Sequence, residues 1–299
     1  MSVLAAGTVA LAHRADAAFP GRNGEIAFVS SRSNPEGDIY VMNADGTGVV
    51  RLTTDTQENS DPAWSPDGRK IVYASKHDFR PSLSDIWVMN ADGSGKTRLT
   101  ATPAFDYEPA WSPDGRKIVF VSTRNNPGGD LYVMNANGSG LVRLTATAPS
   151  MAVQPAWSPD GRQIVYTSYP RQNDARSHLW IVNADGTGRH RLSTIGYSNA
   201  PAWSPDGRWI AYTYVSRQGI SIWAIRPDGT GAHAITRGRG LDHSPAWSPD
   251  GTKIAFSSTR GSLQYEIWTV GANGSGLRQL THEAVLLDLN VRPDWQPLP

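Results

Sequence analysis

Apolar and polar positions alternate along this chain in short bursts, without the sustained 3.6-residue rhythm of helices. Lys70–Ser75 (KIVYAS) is a mostly apolar run of strand length, Asp85–Asn90 (DIWVMN) is a second, and Lys96–Thr100 (KTRLT) is a third, more polar one. Tight-turn signals separate them. In Ser65-Pro66-Asp67-Gly68 the proline presets φ for the first corner and the glycine accepts the positive φ that follows. Asn90-Ala91-Asp92-Gly93-Ser94-Gly95 is the second such signal. With Pro62–Trp64 ahead of them, these segments predict four antiparallel strands, A to D.

The pattern repeats. PAWSPDGR occurs at Pro62–Arg69, Pro109–Arg116, Pro155–Arg162 and Pro201–Arg208, PAWSPDGT at Pro245–Thr252, and a degenerate Pro293-Asp294-Trp295 near the end. Trp64, Trp111, Trp157, Trp203, Trp247 and Trp295 are 47, 46, 46, 44 and 48 residues apart. NADGTG or a near variant recurs around Gly46, Gly93, Gly138, Gly186, Gly229 and Gly274. A strand-rich period of this length predicts an all-β fold, a six-bladed β-propeller. The first copy lacks its A strand but keeps a B strand at Gly24–Ser30, with C and D strands at Asp38–Asn43 and Val49–Thr53. The strand Asn290–Trp295 is expected to complete that blade, pairing the two chain ends and closing the ring.

Composition supports the same picture. The 29 Gly and 21 Pro are spread along all 299 residues, which excludes a coiled coil, and no apolar run reaches membrane-spanning length. With 28 Lys+Arg against 27 Asp+Glu, charge suggests neither nucleic acid nor an anionic membrane as partner. The absence of Cys excludes disulfides and thiolate chemistry. At the amino terminus, the ten-residue apolar run Val3–Ala12 precedes Ala15-Asp16-Ala17. Residues 1–17 therefore read as an export signal without its usual basic start, and 18–299 as the propeller domain. The alternative is a cytoplasmic protein with a loosely packed arm.

Repeated WSPDG, an apolar strand and an IYVMNADG-type hairpin together resemble the TolB-like group of WD40-like (PD40) propellers, over about Gly21 to Pro297. That resemblance implies an exported, non-catalytic protein of the bacterial envelope working through protein contacts. The signal-like arm stands where TolB itself carries an additional α/β domain, and TolB's own partners do not transfer with the fold.

Six tryptophans occupy the A-strand position, and Trp87, Trp180, Trp223 and Trp268 share a C-strand position with Tyr40 and Tyr132. Both series are expected to pack between blades; only Trp209 falls outside them. The aspartates of SPDG and NADG read as turn chemistry, since the further ligands of a calcium loop are missing. Function is then expected on the face carrying the B–C and D–A connections, which differ between blades. Each B strand ends at or beside a basic residue (Arg32, Lys76, Arg124, Arg171, Arg217, Arg260), a recurrence that favours structural ion pairs over an anion-binding ring. The residues just ahead of each A strand are expected to crowd the channel mouth. Asp61, Glu108, Gln154 and Arg292, with Asn199 and His243 nearby, are the candidate binding residues, joined by His77 and Phe79 from the longer loop Lys76–Ser84.

These residues suggest a monomeric, non-catalytic module for an envelope protein, peptide or small ligand, with no cofactor and no bound metal. The rival reading is a lyase or hydrolase assembled in the channel from residues such as Glu108, Gln154 and His243. The chain has neither a G-x-S-x-G elbow nor an H-E-x-x-H pair.

Overall fold

The computed structural model describes residues 19–299 apart from 78–79, 149, 171–176, 194–195, 239, 262–263 and 283–288. The expected export signal and Phe79 therefore lie outside the described residues. The described chain forms six four-stranded antiparallel sheets, each a blade with its A strand innermost. In strand order A to D, blade 2 is Asn59–Trp64, Lys70–His77, Arg80–Asn90 and Thr97–Arg98. Blade 3 is Asp106–Trp111, Lys117–Ser122, Asp130–Asn135 and Val142–Arg143. Blade 4 is Met151–Trp157, Gln163–Tyr169, His178–Asn183 and His190–Arg191. Blade 5 is Tyr197–Trp203, Ile210–Ser216, Gly219–Ile225 and His233–Ala234. Blade 6 is Asp242–Trp247, Lys253–Ser258, Glu266–Gly271 and Arg278–Gln279.

Blade 1 combines both ends of the chain, as the repeat count requires. Its A strand Asn290–Leu298 pairs with the B strand Arg22–Ser30, followed by Asp38–Met42 and Val50–Arg51. The core lies between blades. One cluster joins Ile39, Val41 and Leu52 of blade 1 to Trp64, Ile71, Tyr73 and Met89 of blade 2, and five similar clusters share out the other interfaces. The six A-strand tryptophans are at most 6% exposed. Burying rings of that size against a neighbour is what makes a single blade dependent on the ring.

The turns serve packing as well as direction. In SPDG, Ser65 Oγ donates to Asp67 Oδ1 at 2.6 Å and accepts from the Lys70 amide at 2.9 Å. Gly115 holds φ +68°, and a Cβ there would sit 3.3 Å from the Pro66 ring of the previous blade. Turn conformation and inter-blade fit both select glycine. The D strands are shorter than the sequence pattern suggests. They pair over two residues, after which the chain bends so that a hydroxyl caps the C strand, as Thr53 Oγ1 does for the Ile39 amide at 2.9 Å.

In blade 2 the expected loop Lys76–Ser84 is partly ladder, with Lys76 opposite Ser84 and His77 opposite Arg80. The two strands lengthen because the backbone continues to pair, as it does in blade 5 as far as Ser216 opposite Gly219.

Candidate functional site: the channel and its mouth

Each A strand carries one irregularity at the same place. In blade 2 the register runs Ser60 opposite Ala74, then Ala63 opposite Val72, so the A strand has one extra residue. The bulge falls on Asp61-Pro62. Proline lacks the N–H a regular ladder would need, and a bulge is where a strand tolerates it. The residue before it turns left-handed: Asp61, Glu108, Gln154, Ala200, Ser244 and Arg292 have φ between 50° and 57° in every blade. The sequence pattern placed these six ahead of the A strands. They lie within the strands, and the bulge brings them to the channel wall.

The amides of four bulge residues are satisfied from the preceding blade. The Gln154 N–H donates to Glu108 Oε2 at 2.8 Å, and the Ala200 N–H to both Gln154 Oε1 at 2.9 Å and Thr167 Oγ1 at 3.2 Å. The Ser244 N–H donates to Thr213 Oγ1 and the Arg292 N–H to Ser257 Oγ, both at 3.1 Å. A hydroxyl serves where the B strand supplies one. Where blade 3 has Val121 at that position, the Glu108 carboxylate serves instead.

Together these residues and the Pro-x-Trp segments beside them line a cavity of about 230 Å³. Of the residues expected at the site, Asp61, Glu108, Gln154 and Arg292 line it. Arg292 forms an ion pair with Asp61. Asn199 and His243 stand one position outward: Asn199 hydrogen-bonds the Tyr169 hydroxyl, and the His243 ring meets Tyr265 edge-on at 5.6 Å. His77 closes the B strand of the blade 2 hairpin.

Two lining residues escaped the sequence reading. Phe19, just ahead of the first strand, lines the cavity and packs against the blade 2–3 cluster. Asp294 stands where the other five copies have alanine, and its carboxylate accepts the Trp64 N–H at 2.7 Å. The signal was the D of Pro293-Asp294-Trp295, a departure that looks like decay of the motif.

The channel's charge is lopsided. Asp61, Glu108, Asp294 and Arg292 all belong to blades 1 to 3, while Gln154, Ala200 and Ser244 complete the ring without charge. Burial pushes Glu108 up to about 7, partly offset by the Gln154 N–H. Burial also pushes Asp294 up to about 7, against the amides of Trp64 and Trp295. His243 is pulled below its ordinary value by burial, with Asp242 opposing, so it is neutral at neutral pH. Among the described residues, no three His, Asp or Glu side chains converge to hold a metal ion.

The two raised carboxyls predict a pH dependence of stability with a definite sign. Between about pH 4 and 7 the native protein holds protons that the unfolded chain releases, so stability falls as pH rises and levels off above about 7. Glu108→Gln and Asp294→Asn keep the acceptor oxygens and remove the ionisation. Each is expected to flatten the decline and to exceed the wild type in melting temperature at about pH 8. Melting curves across that range decide it, and parallel curves for variant and wild type would contradict the assignment.

The PD40 sequence family, the TolB beta propeller domain, matches residues 79–152 and 146–298. Among curated proteins none matches the sequence significantly. TolB from Acinetobacter baumannii superposes with a TM-score of 0.77 at 21% identity, covering 92% of this chain and 67% of that one. The TolB candidate of Agrobacterium tumefaciens gives 0.69 at 20% identity, covering 92% and 99%. An oligogalacturonate lyase in complex with manganese gives 0.55 at 15% identity, covering 89% and 75%. At these identities the structures share the propeller fold. The family match spans most of the sequence, and the chain belongs to the TolB beta propeller domain family.

Proposed function

We infer that the chain is an exported, non-catalytic binding propeller that holds a peptide segment of an envelope protein at the channel mouth on its B–C and D–A face. The observation that carries this reading is the asymmetric ring of bulge residues. A repeated scaffold requires the bulge, and Glu108 and Gln154 also satisfy the next blade's amide, but nothing in the repeat requires the Asp61–Arg292 pair beside them at the channel wall. A cavity of about 230 Å³ suits an extended segment or a chain end rather than a folded domain. The Asp61–Arg292 pair offers it a donor and an acceptor side by side.

TolB neighbours support a contact role and an exported location. The proposed surface takes in Asn199, His243 and the end of the blade 2 B strand at His77, with Phe79 added from the sequence alone. The test compares wild type with Asp61→Ala, Glu108→Ala and Arg292→Ala in pull-downs from an envelope extract, with folding checked by melting curves. Specific partners held by the wild type are expected to drop by about tenfold or more in at least one variant. Identical recovery across all of them would sink the assignment.

A further inference from the structure

The opposite face, formed by the SPDG and NADG turns, repeats almost identically except at blade 5. The residue that opens the B strand is Lys70, Lys117, Gln163 or Lys253 in blades 2, 3, 4 and 6; at the same repeat position blade 5 has Trp209, just ahead of its strand. The residue across the ladder is Asn90, Asn135, Asn183 or Gly271, and the equivalent position in blade 5, just past the C strand, is Arg226. Inside the C strand, Val41, Val88, Val133, Ile181 and Thr269 give way to Ala224. Three departures thus fall side by side, because Ile210 pairs with Ile225 and Ala211 with Ala224.

Their geometry is specific. The Arg226 guanidinium lies 5.0 Å over the Trp209 ring, and the His233 ring meets Trp209 edge-on at 4.9 Å. In blades 1 to 4 the asparagine amide donates to a hydroxyl of its own turn, as Asn90 does to Ser94 at 3.0 Å. Arg226 is placed against the indole instead. It does not line the groove that Trp209 and His233 border, so it acts as a positioning residue behind the ring.

That groove runs between blades 5 and 6 and measures about 860 Å³, within the range of small-molecule sites. Ala224 lies in its floor, and Asp206, Arg208 and Asp250 supply charged groups around it. His233 Nδ1 donates to the Gly231 carbonyl at 2.9 Å, which leaves Nε2 for a ligand hydroxyl.

We propose that this groove binds a short neutral oligosaccharide, with a pyranose ring stacked on Trp209 and its hydroxyls on Asp206, Arg208 and His233. A pyranose has an apolar C–H face that matches an indole, and a rim of hydroxyls each able to donate and accept. Carboxylates, a guanidinium and an imidazole in near charge balance suit such a rim better than they suit an ion. The site lies on the face opposite the channel mouth and does not depend on the peptide reading above.

Maltotriose, cellotriose and chitotriose are titrated into the full chain, with binding read by saturation-transfer NMR and calorimetry. At least one is expected to bind. Trp209→Ala should weaken it by about tenfold or more, Trp209→Phe by no more than about threefold, and Glu108→Gln not at all. The exposed His233→Ala should weaken it several-fold, and it decides the matter if Trp209→Ala fails to fold. The proposal is overturned if no trisaccharide binds at about 10 mM, or if both Trp209→Ala and His233→Ala leave affinity unchanged. Trp209-dependent binding of a proline-rich peptide instead of any sugar also overturns it.

Discussion

Removing residues 290–299 is expected to abolish cooperative folding, although it deletes one of the twenty-four strands among the described residues. That strand is the A strand of blade 1 and the contact that closes the ring, pairing Trp295 with Ile26, Asp294 with Ala27 and Asn290 with Ser30. Trp295 is 3% exposed and packs with Ile26, Phe28 and Met42 on one side and Ala246, Ala255 and Ile267 on the other. Loss of a buried tryptophan side chain alone costs about 3–5 kcal/mol. The deletion also leaves the Trp64 amide without Asp294, Asp61 without Arg292, and Arg32 without Asn290. Together these losses approach the whole stability of about 5–15 kcal/mol of an ordinary domain. The exposed edge of the blade 1 B strand then invites intermolecular pairing. Aggregation, or a melting curve with no sharp transition, is the expected result. The point variant Trp295→Ala should still fold, with a melting temperature lower by about 10 °C. A truncated chain that melts as the wild type does would show that the ring does not depend on this closure.

The closure was readable because absence is informative in a repeat: one motif lacked its first strand and a spare copy stood at the other end. Blade number, strand order and the packing of ten tryptophans were readable for the same reason, since six copies average out local ambiguity. The bulges were not. PAW reads as the start of a strand because proline usually sits at a strand's edge, whereas Ser60, Tyr107, Val153, Asn199 and His243 continue the ladder on its far side. A left-handed aspartate or arginine before proline has no composition signature. Asp294 was hidden by the opposite logic, as a substitution inside a decayed motif. The Lys76–Ser84 hairpin was hidden because its residues carry neither clean alternation nor a turn dipeptide.

The two faces divide the work differently. On the turn face each aspartate commits one carboxylate oxygen to its own turn, as Asp45 Oδ1 accepts from the Thr47 amide and hydroxyl, which hold its carboxyl below the usual range. Uniformity there is a folding requirement, so a departure such as blade 5 stands out. On the other face the connecting loops are free to differ, and a difference between loops alone carries little information. The shared bulge geometry says where the channel residues stand, and the unequal side chains at those six positions say what the repeat does not dictate.

At the recurrent basic residue that ends each B strand, Arg124→Ala is expected to be among the most destabilising surface-proximal substitutions. An anion-binding ring would store like-charge repulsion, and removing one member would stabilise the free protein. The structure places the opposite arrangement there. Asp106 is fully buried, and both of its oxygens accept from Arg124 Nη2, at 3.0 and 2.9 Å. Arg124 Nε donates to Ser122 Oγ at 2.7 Å, and its guanidinium lies 4.8 Å from the Tyr132 ring and 5.6 Å from that of Phe120. Arg260 repeats the pairing with Asp242, Lys76 pairs with Glu58, and Arg32 donates to Asn290; Arg217 is exposed in a turn, and Arg171 lies outside the described residues. Arg124→Ala leaves the Asp106 carboxylate buried without its counter-ion, a situation that costs about 3–5 kcal/mol, or about 10 °C in melting temperature. Asp106→Asn should cost less, because Arg124 reaches solvent while Asp106 does not. The pair Asp106→Asn with Arg124→Met, which removes both charges and keeps the stem over the rings, should recover most of the loss. Thermal unfolding of the three variants decides between the readings by sign: a stabilised Arg124→Ala would mean that repulsion, and not pairing, dominates at these positions.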